Sequence, residues 1–270
     1  MTSETQAVPQ SSPKPSILPP FVDVIAHRGY SAGAPENTII AFEQAIELGA
    51  RSIELDIQWT RDNVPVVTHD PSLGRTIAGI GRIADLTWTE LQECDAGSWF
   101  NAEFSDQRVP SFEQVLQHVQ RLPGQLFLDL KPYCQWSDER IALLLELIDR
   151  YHWRDRSVAC SFDPDVADRF NADILHPMAI GYSLTSAESF DELLPRATTA
   201  GAALVSAYDM LLADPDLIWE AHAAGLEIVA WTVDQLEDLQ RLSDFGIDRV
   251  ITNRLLPKTI AMTTIETAEP

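Results

Sequence analysis

Two short runs place charge where a strand ought to be buried. In Ser52-Ile53-Glu54-Leu55-Asp56-Ile57 the period of a strand puts Glu54 and Asp56 on one face and Ile53, Leu55 and Ile57 on the other. A parallel strand normally buries two apolar faces, so paired carboxylates call for a reason. A site for a hard cation is one, because Mg²⁺ and Ca²⁺ prefer carboxylate oxygens; solvated residues of an edge strand are the other. The alternation recurs in Gln125-Leu126-Phe127-Leu128-Asp129-Leu130-Lys131, where Asp129 and Lys131 share a face with Phe127. An interior polar cluster explains that run, as does a simple buried ion pair.

Two histidines close apolar runs, His27 after Asp23-Val24-Ile25-Ala26 and His69 after Val64-Pro65-Val66-Val67-Thr68. Either alone is an ordinary packed histidine. Beside inward carboxylates they form the set that general acid–base chemistry on a phosphodiester needs, since imidazoles titrate near neutrality. His118, His152, His176 and His222 fall in or beside helical patterns and take no role. Nucleotide-binding glycine loops, a GxSxG elbow and an HExxH pair are absent from the sequence.

What must position these groups is a repeated strand, helix and glycine. Apolar β-rich runs near 22–27, 52–57, 125–131, 157–161, 178–183, 202–206, 226–232 and 248–252 number eight. Helical spacing appears between them in Glu36 to Leu48, Ile141 to Ile148, Asp165 to Ala172, Pro215 to Ala223 and Leu236 to Leu242, with Gly49, Gly201, Gly225 and Gly246 at helix-ending positions. The expected fold is an α/β (β/α)8 TIM barrel, with a doubly wound open sheet as the alternative. Residues 58–124 break the rhythm as an inserted segment after the second strand, holding a hairpin across Arg61-Asp62-Asn63 and helical pieces near 87–93 and 111–121. At Pro35 to Thr38 a helix start is expected, with Glu36 in its first turn.

The chain has 270 residues and a formal charge of −22, which repels nucleic acid and anionic membrane surfaces at long range. A small phosphorylated ligand remains compatible, because a cation and a few bases invert the field inside a pocket. Cys94, Cys134 and Cys160 form no CxxC pair, which points to reduced thiols and a cytoplasmic protein. Residues 1–20, rich in Ser, Thr, Gln and Pro, read as a disordered tail without signal-peptide character, and 262–270 as a second tail. The domain expected between them is 21–261. No apolar run is long enough to span a bilayer as a helix.

Several of these pieces resemble, in order and spacing, the glycerophosphodiester phosphodiesterase family of the bacterial, single-domain type. The resemblance rests on His27-Arg28-Gly29, Pro35-Glu36-Asn37-Thr38, Ile53-Glu54-Leu55-Asp56, Val66-Val67-Thr68-His69-Asp70, Ala96-Gly97-Ser98-Trp99-Phe100, Leu128-Asp129-Leu130-Lys131, Ser161-Phe162 and Trp231-Thr232-Val233-Asp234. It implies metal-dependent hydrolysis of glycerophosphodiesters to sn-glycerol 3-phosphate and an alcohol. By the same resemblance Glu54, Asp56 and Asp129 hold the Mg²⁺ or Ca²⁺, His27 and His69 are the acid–base pair, Arg28 and Lys131 hold the phosphate, and Phe162 and Trp231 line the pocket.

This chain departs from that pattern twice. Asp129 stands where the family usually has Glu, one methylene longer, which bears on metal affinity. Asn253, in Ile251-Thr252-Asn253-Arg254, stands where an Asp is frequent, which bears on how the pocket is closed. Two other functions fit the residues: a phospholipase acting on a lysophospholipid or phosphoinositide, and a binding protein that keeps the barrel without its chemistry. The first wants an apolar rim or a basic patch, and the acidic sequence offers no obvious one.

Overall fold

Each run of alternating or continuous apolar residues needs a neighbour for its backbone and a cover for its face, and a closed parallel sheet wrapped in helices satisfies both demands. The computed structural model describes residues 22–255 except residue 174; the two expected tails lie outside the described residues. The described residues form nine strands: β1 (Asp23–His27), β2 (Ser52–Trp59), β3 (Pro65–Val67), β4 (Leu126–Leu130), β5 (Ser157–Ser161), β6 (Ala179–Leu184), β7 (Ala203–Ala207), β8 (Ile228–Trp231) and β9 (Arg249–Thr252). They pair in the order β1, β9, β8, β7, β6, β5, β4, β2, β3, and a further pairing of β1 with β2 closes the ring. The result is an eight-stranded parallel (β/α)8 barrel, and closure rules out the open sheet. β3 lies outside the ring, antiparallel to β2, with Ile57 opposite Val67 and Trp59 opposite Pro65. This is the expected hairpin.

The period-two pattern sorts the core into layers. Ile53, Leu55, Ile57, Leu126, Leu128 and Leu130 face outward and pack with helix residues such as Phe42, Phe112, Leu144 and Phe170. The ring interior holds a smaller cluster of Ile25, Phe127, Val158, Cys160, Val205, Val229 and Ile251. The inserted segment builds its own small core from Val66, Ile77, Ile83, Leu91, Ala96 and Val109. It is therefore a packed rim.

The helices differ from the expected spans at several points, with Asp138–Arg150 longer and Tyr208–Ala213 an additional helix. The first helix runs Ile39–Glu47, with the Thr38 side chain accepting from the Ala41 N–H as its N-cap. Glu36 therefore lies before the helix, in the turn, where its carboxylate serves two arginines. A helix at Ala187–Ala200 was not anticipated, and Pro195 within it explains why the helical signal was broken. It ends at Gly201, which takes the left-handed conformation (φ 66°). Among the described residues no helix is long and apolar enough to cross a membrane.

Candidate active site

The carboxyl end of β1 turns sharply. Arg28 follows His27 at φ 55°, and Gly29 follows at φ 81°. A Cβ on Gly29 would lie 2.6 Å from the Ala41 carbonyl carbon, so only glycine lets this turn press against the first helix. The turn is tied to β2 by the Arg28 N–H, which donates to the Glu54 carbonyl oxygen at 2.9 Å and lies 3.0 Å from Glu54 Oε2. The Arg28 side chain then reaches Asp56 Oδ2 at 3.2 Å and Glu36 Oε1 at 2.7 Å.

Strand register assembles the acids. His27 stands opposite Glu54, and Asp56 opposite Asp129. Glu54, Asp56 and Asp129 thereby offer ligand oxygens that all lie within 4.8 Å of one another. Lys131 Nζ bridges Asp56 Oδ1 and Asp129 Oδ2 at 2.5 Å each. From the turn, buried Asn37 donates to Asp56 Oδ2 at 2.6 Å and fixes how that carboxylate points.

His69 arrives from the hairpin. Gln58 Nε2 lies 2.8, 2.8 and 2.7 Å from the carbonyl oxygens of Thr68, His69 and Asp70, and the Tyr133 hydroxyl donates to the His69 carbonyl. Its Nδ1 is 2.7 Å from Asp70 Oδ1. Arg75 holds Asp70 in turn (2.5 Å) and clamps Glu36 with two bonds of 3.0 and 2.8 Å. Across the mouth Phe162 and Trp231 meet edge to face at 5.7 Å, and Trp231 Nε1 donates to the Val205 carbonyl. One cavity of about 290 Å³ is lined by His27, Arg28, Glu54, His69, Asp129, Lys131, Phe162 and Trp231 over an apolar floor of Phe127, Cys160, Val205 and Ile251.

Crowded acids in a buried place titrate apart. Burial and the adjacent Asp56 push Glu54 well above the usual carboxylate range. Burial works against Asp56 as well, but Lys131 and Arg28 outweigh it and hold that carboxyl below its usual range. Burial, with Arg28 beside it, pulls the His27 imidazole down to about 4, so the ring is neutral near pH 7. The donor set fits a hard divalent cation: it is all oxygen, it comes from two adjacent strands, and Asp129 Oδ1 is buried without a hydrogen-bond partner. The shorter side chain at position 129 still reaches the cluster.

Of the residues singled out from sequence, all but Asp56 line this one cavity, and Asp56 lies directly beneath it on Arg28 and Lys131. Sequence reasoning gives no partner role to Glu36, Asn37, Asp70, Arg75 or Asp234, and names Asn253 only as a residue that bears on how the pocket is closed. Glu36, Asn37, Asp70 and Asp234 all lie within the family-like motifs, where the sequence offers a signal for them. Arg75 lies in an aperiodic turn, and nothing local marks it.

A model of the glycerophosphoryl diester phosphodiesterase family matches residues 27–256. A glycerophosphodiester phosphodiesterase of Caldanaerobacter subterraneus is 30% identical over 243 residues, covering 85% of this chain and 93% of that one. Among solved structures, an Oleispira antarctica phosphodiesterase in complex with the product sn-glycerol-3-phosphate is similar at a TM-score of 0.79 and 28% identity, over 90% of this chain and 96% of that one. A glycerophosphodiester phosphodiesterase of Thermotoga maritima gives a TM-score of 0.69 at 26% identity, over 87% and 95% of the two chains. Fold and comparisons together define a barrel phosphodiesterase. The chain belongs to the glycerophosphoryl diester phosphodiesterase family.

Proposed function

We propose that this chain hydrolyses small glycerophosphodiesters to sn-glycerol 3-phosphate and a free alcohol, with Mg²⁺ or Ca²⁺ held by Glu54, Asp56 and Asp129. The observation that carries the reading is the convergence of two histidines, three carboxylates and two bases on one cavity with an aromatic wall. When bound, the cation polarises a phosphoryl oxygen and offsets developing charge. Arg28 and Lys131 bind the remaining phosphoryl oxygens and stabilise charge there in the transition state. Phe162 and Trp231 pack the organic part of the substrate and exclude water.

The site residues contain no serine elbow, and Cys160 is buried in the cavity floor, where burial raises its thiol well above the usual range. Without a nucleophile on the protein, the attacking oxygen belongs to the substrate or to water, and we assign it to the substrate. Glycerol carries a hydroxyl beside the esterified carbon, and attack from within gains the effective molarity of an oriented intramolecular reaction. One histidine takes the hydroxyl proton as the O–P bond forms; the other protonates the alcohol oxygen as its bond to phosphorus breaks. The cyclic glycerol phosphate is then opened by water, with the histidines exchanging roles.

The catalytic domain is proposed as 21–261 and its setting as the cytoplasm, in keeping with three free cysteines. The acidic balance of the chain favours a small-molecule substrate over nucleic acid or a stable membrane contact. Release of sn-glycerol 3-phosphate from diesters with choline, ethanolamine and glycerol head groups, before and after chelation, tests the activity and its metal. Full turnover in demetallated protein would remove the cation from the scheme. Equal kcat for a diester and its analogue lacking the adjacent hydroxyl would exclude the cyclic route and leave water as the first nucleophile.

A further inference from the structure

His27 has a second side, turned away from the cavity. There its Nδ1 lies 2.7 Å from Asn253 Oδ1. Asn253 follows β9 and is itself held from behind by Asp234: its Nδ2 donates to Asp234 Oδ2 at 2.7 Å, and its backbone N–H donates to Asp234 Oδ1 at 2.8 Å. The Thr252 hydroxyl is also within reach of Asp234 Oδ1, at 3.1 Å. The Ser31 hydroxyl sits 2.7 Å from Asn253 Oδ1 and 2.8 Å from the His27 carbonyl oxygen.

The amide and the imidazole have one consistent proton arrangement. A carboxylate only accepts, so the amide must present its NH₂ to Asp234; the flipped amide would set two acceptor oxygens 2.7 Å apart. With NH₂ committed there, the amide oxygen faces His27, and an amide oxygen also only accepts. Nδ1 of His27 must therefore carry the ring proton. The lone pair of the neutral ring then lies on Nε2, the nitrogen on the Glu54 side, 3.8 Å from Glu54 Oε2. His69 is backed differently, by the Asp70 carboxylate.

We propose that Asn253, locked in orientation by Asp234, is a positioning residue that fixes the Nδ1–H tautomer of His27 and so aims a basic Nε2 into the cavity. The inference rests on His27 being one of the acid–base pair. It gives the amide at 253 a function: a neutral acceptor that sets the tautomer and takes its own orientation from a carboxylate one step further back. The direction of control runs from Asp234 to the amide to the imidazole.

Ring-¹⁵N-labelled histidine spectra of the full chain with divalent cation, together with kcat and KM on a glycerophosphodiester, read the tautomer and its consequence. Asn253→Leu should lose the Nδ1–H signature of His27 and lower kcat about 10–100-fold, by analogy with the outer hydrogen-bond partners of metal-ligating histidines, with KM little changed. If that variant does not fold, Asn253→Ala gives the same comparison. Asn253→Asp alone sets two carboxylates against each other and should also lower kcat. The exchange Asn253→Asp with Asp234→Asn restores an amide-to-carboxylate bond with its polarity reversed and should recover both kcat and the Nδ1–H signature. A parental tautomer and kcat in Asn253→Leu would overturn the proposal, and so would an Asn253→Asp variant as active as the double exchange. His27→Ala separates the two levels: parental turnover there sinks the catalytic reading, whereas a dead His27→Ala beside a fully active Asn253→Leu sinks only the positioning role.

Discussion

Over β1, β2 and β4 the cavity is walled by His27, Glu54, Asp129 and Lys131, with Asp56 beneath them; over β5 to β8 its wall is Phe162, Ser183, Val205 and Trp231. The charged half is interlocked. His27 meets Glu54 and Lys131 meets Asp56 across one strand spacing of about 4.8 Å, while Asp129 meets Lys131 along its own run. The neutral half is bound by packing, and its low polarity strengthens every interaction across the mouth. At Gly181 on β6 a Cβ would come within 2.9 Å of Cys160 Sγ and 3.1 Å of a Val205 methyl, so the absence of a side chain there keeps the apolar floor unstrained. Substitutions in the first half should strike chemistry and stability together, and those in the second should strike fit.

Asp56 gives the severest test of that division. Asp56→Asn leaves Lys131 with Asp129 alone and Arg28 with Glu36 alone, so stability should fall, by less than the about 3–5 kcal/mol of a wholly unpaired buried charge. Turnover should fall at least ~10³-fold with the loss of transition-state charge stabilisation. Denaturant titration and kcat measured on the same preparation check both; parental values would dissolve the contrast between the halves.

The histidines sharpen it, since they belong to the charged half yet carry little of its framework. His27→Ala and His69→Ala should each lower kcat by roughly 100-fold or more while the thermal transition stays near that of the parent. Near-parental turnover in either variant would return that histidine to a packing role.

Asp129 comes next. Calorimetric titration should show Asp129→Ala binding the divalent cation far more weakly, and Asp129→Glu, which restores the longer acid of the family, folded and at least partly active. An unchanged binding isotherm for Asp129→Ala would remove it from the ligand set.

The smallest effects are expected on the neutral side. Phe162→Ala and Trp231→Ala each remove one half of an edge-to-face pair worth about 0.5–1.5 kcal/mol, so KM should rise roughly 2- to 10-fold with kcat changed less. A loss of kcat as large as that of the histidine variants would mean that the aromatic wall takes part in the chemistry.

Legibility in the sequence followed how local each feature is. Glu54 with Asp56, and Asp129 with Lys131, stood out because acids at alternate positions of an apolar run contradict its burial. The helix at Ala187–Ala200 did not stand out, because Pro195 interrupts its pattern and the sheet and neighbouring helices stabilise it regardless. Local pattern makes Glu36 a first-turn acid; it bridges Arg28 and Arg75 only because the inserted segment folds over the turn and brings Arg75 from 39 residues along the chain.

By itself the sequence determined which face each side chain takes, since two residues per repeat in a strand is stereochemistry and needs no partner. It also marked where the chain must turn, at Gly49, Gly201, Gly225 and Gly246, all of which take positive φ. Which groups meet was decided only by closure of the barrel. The pairing of β1 with both β2 and β9 sets His27 between Glu54 and Asn253, the latter 226 residues away, and no local pattern records that distance because it is the sum of every strand register in between.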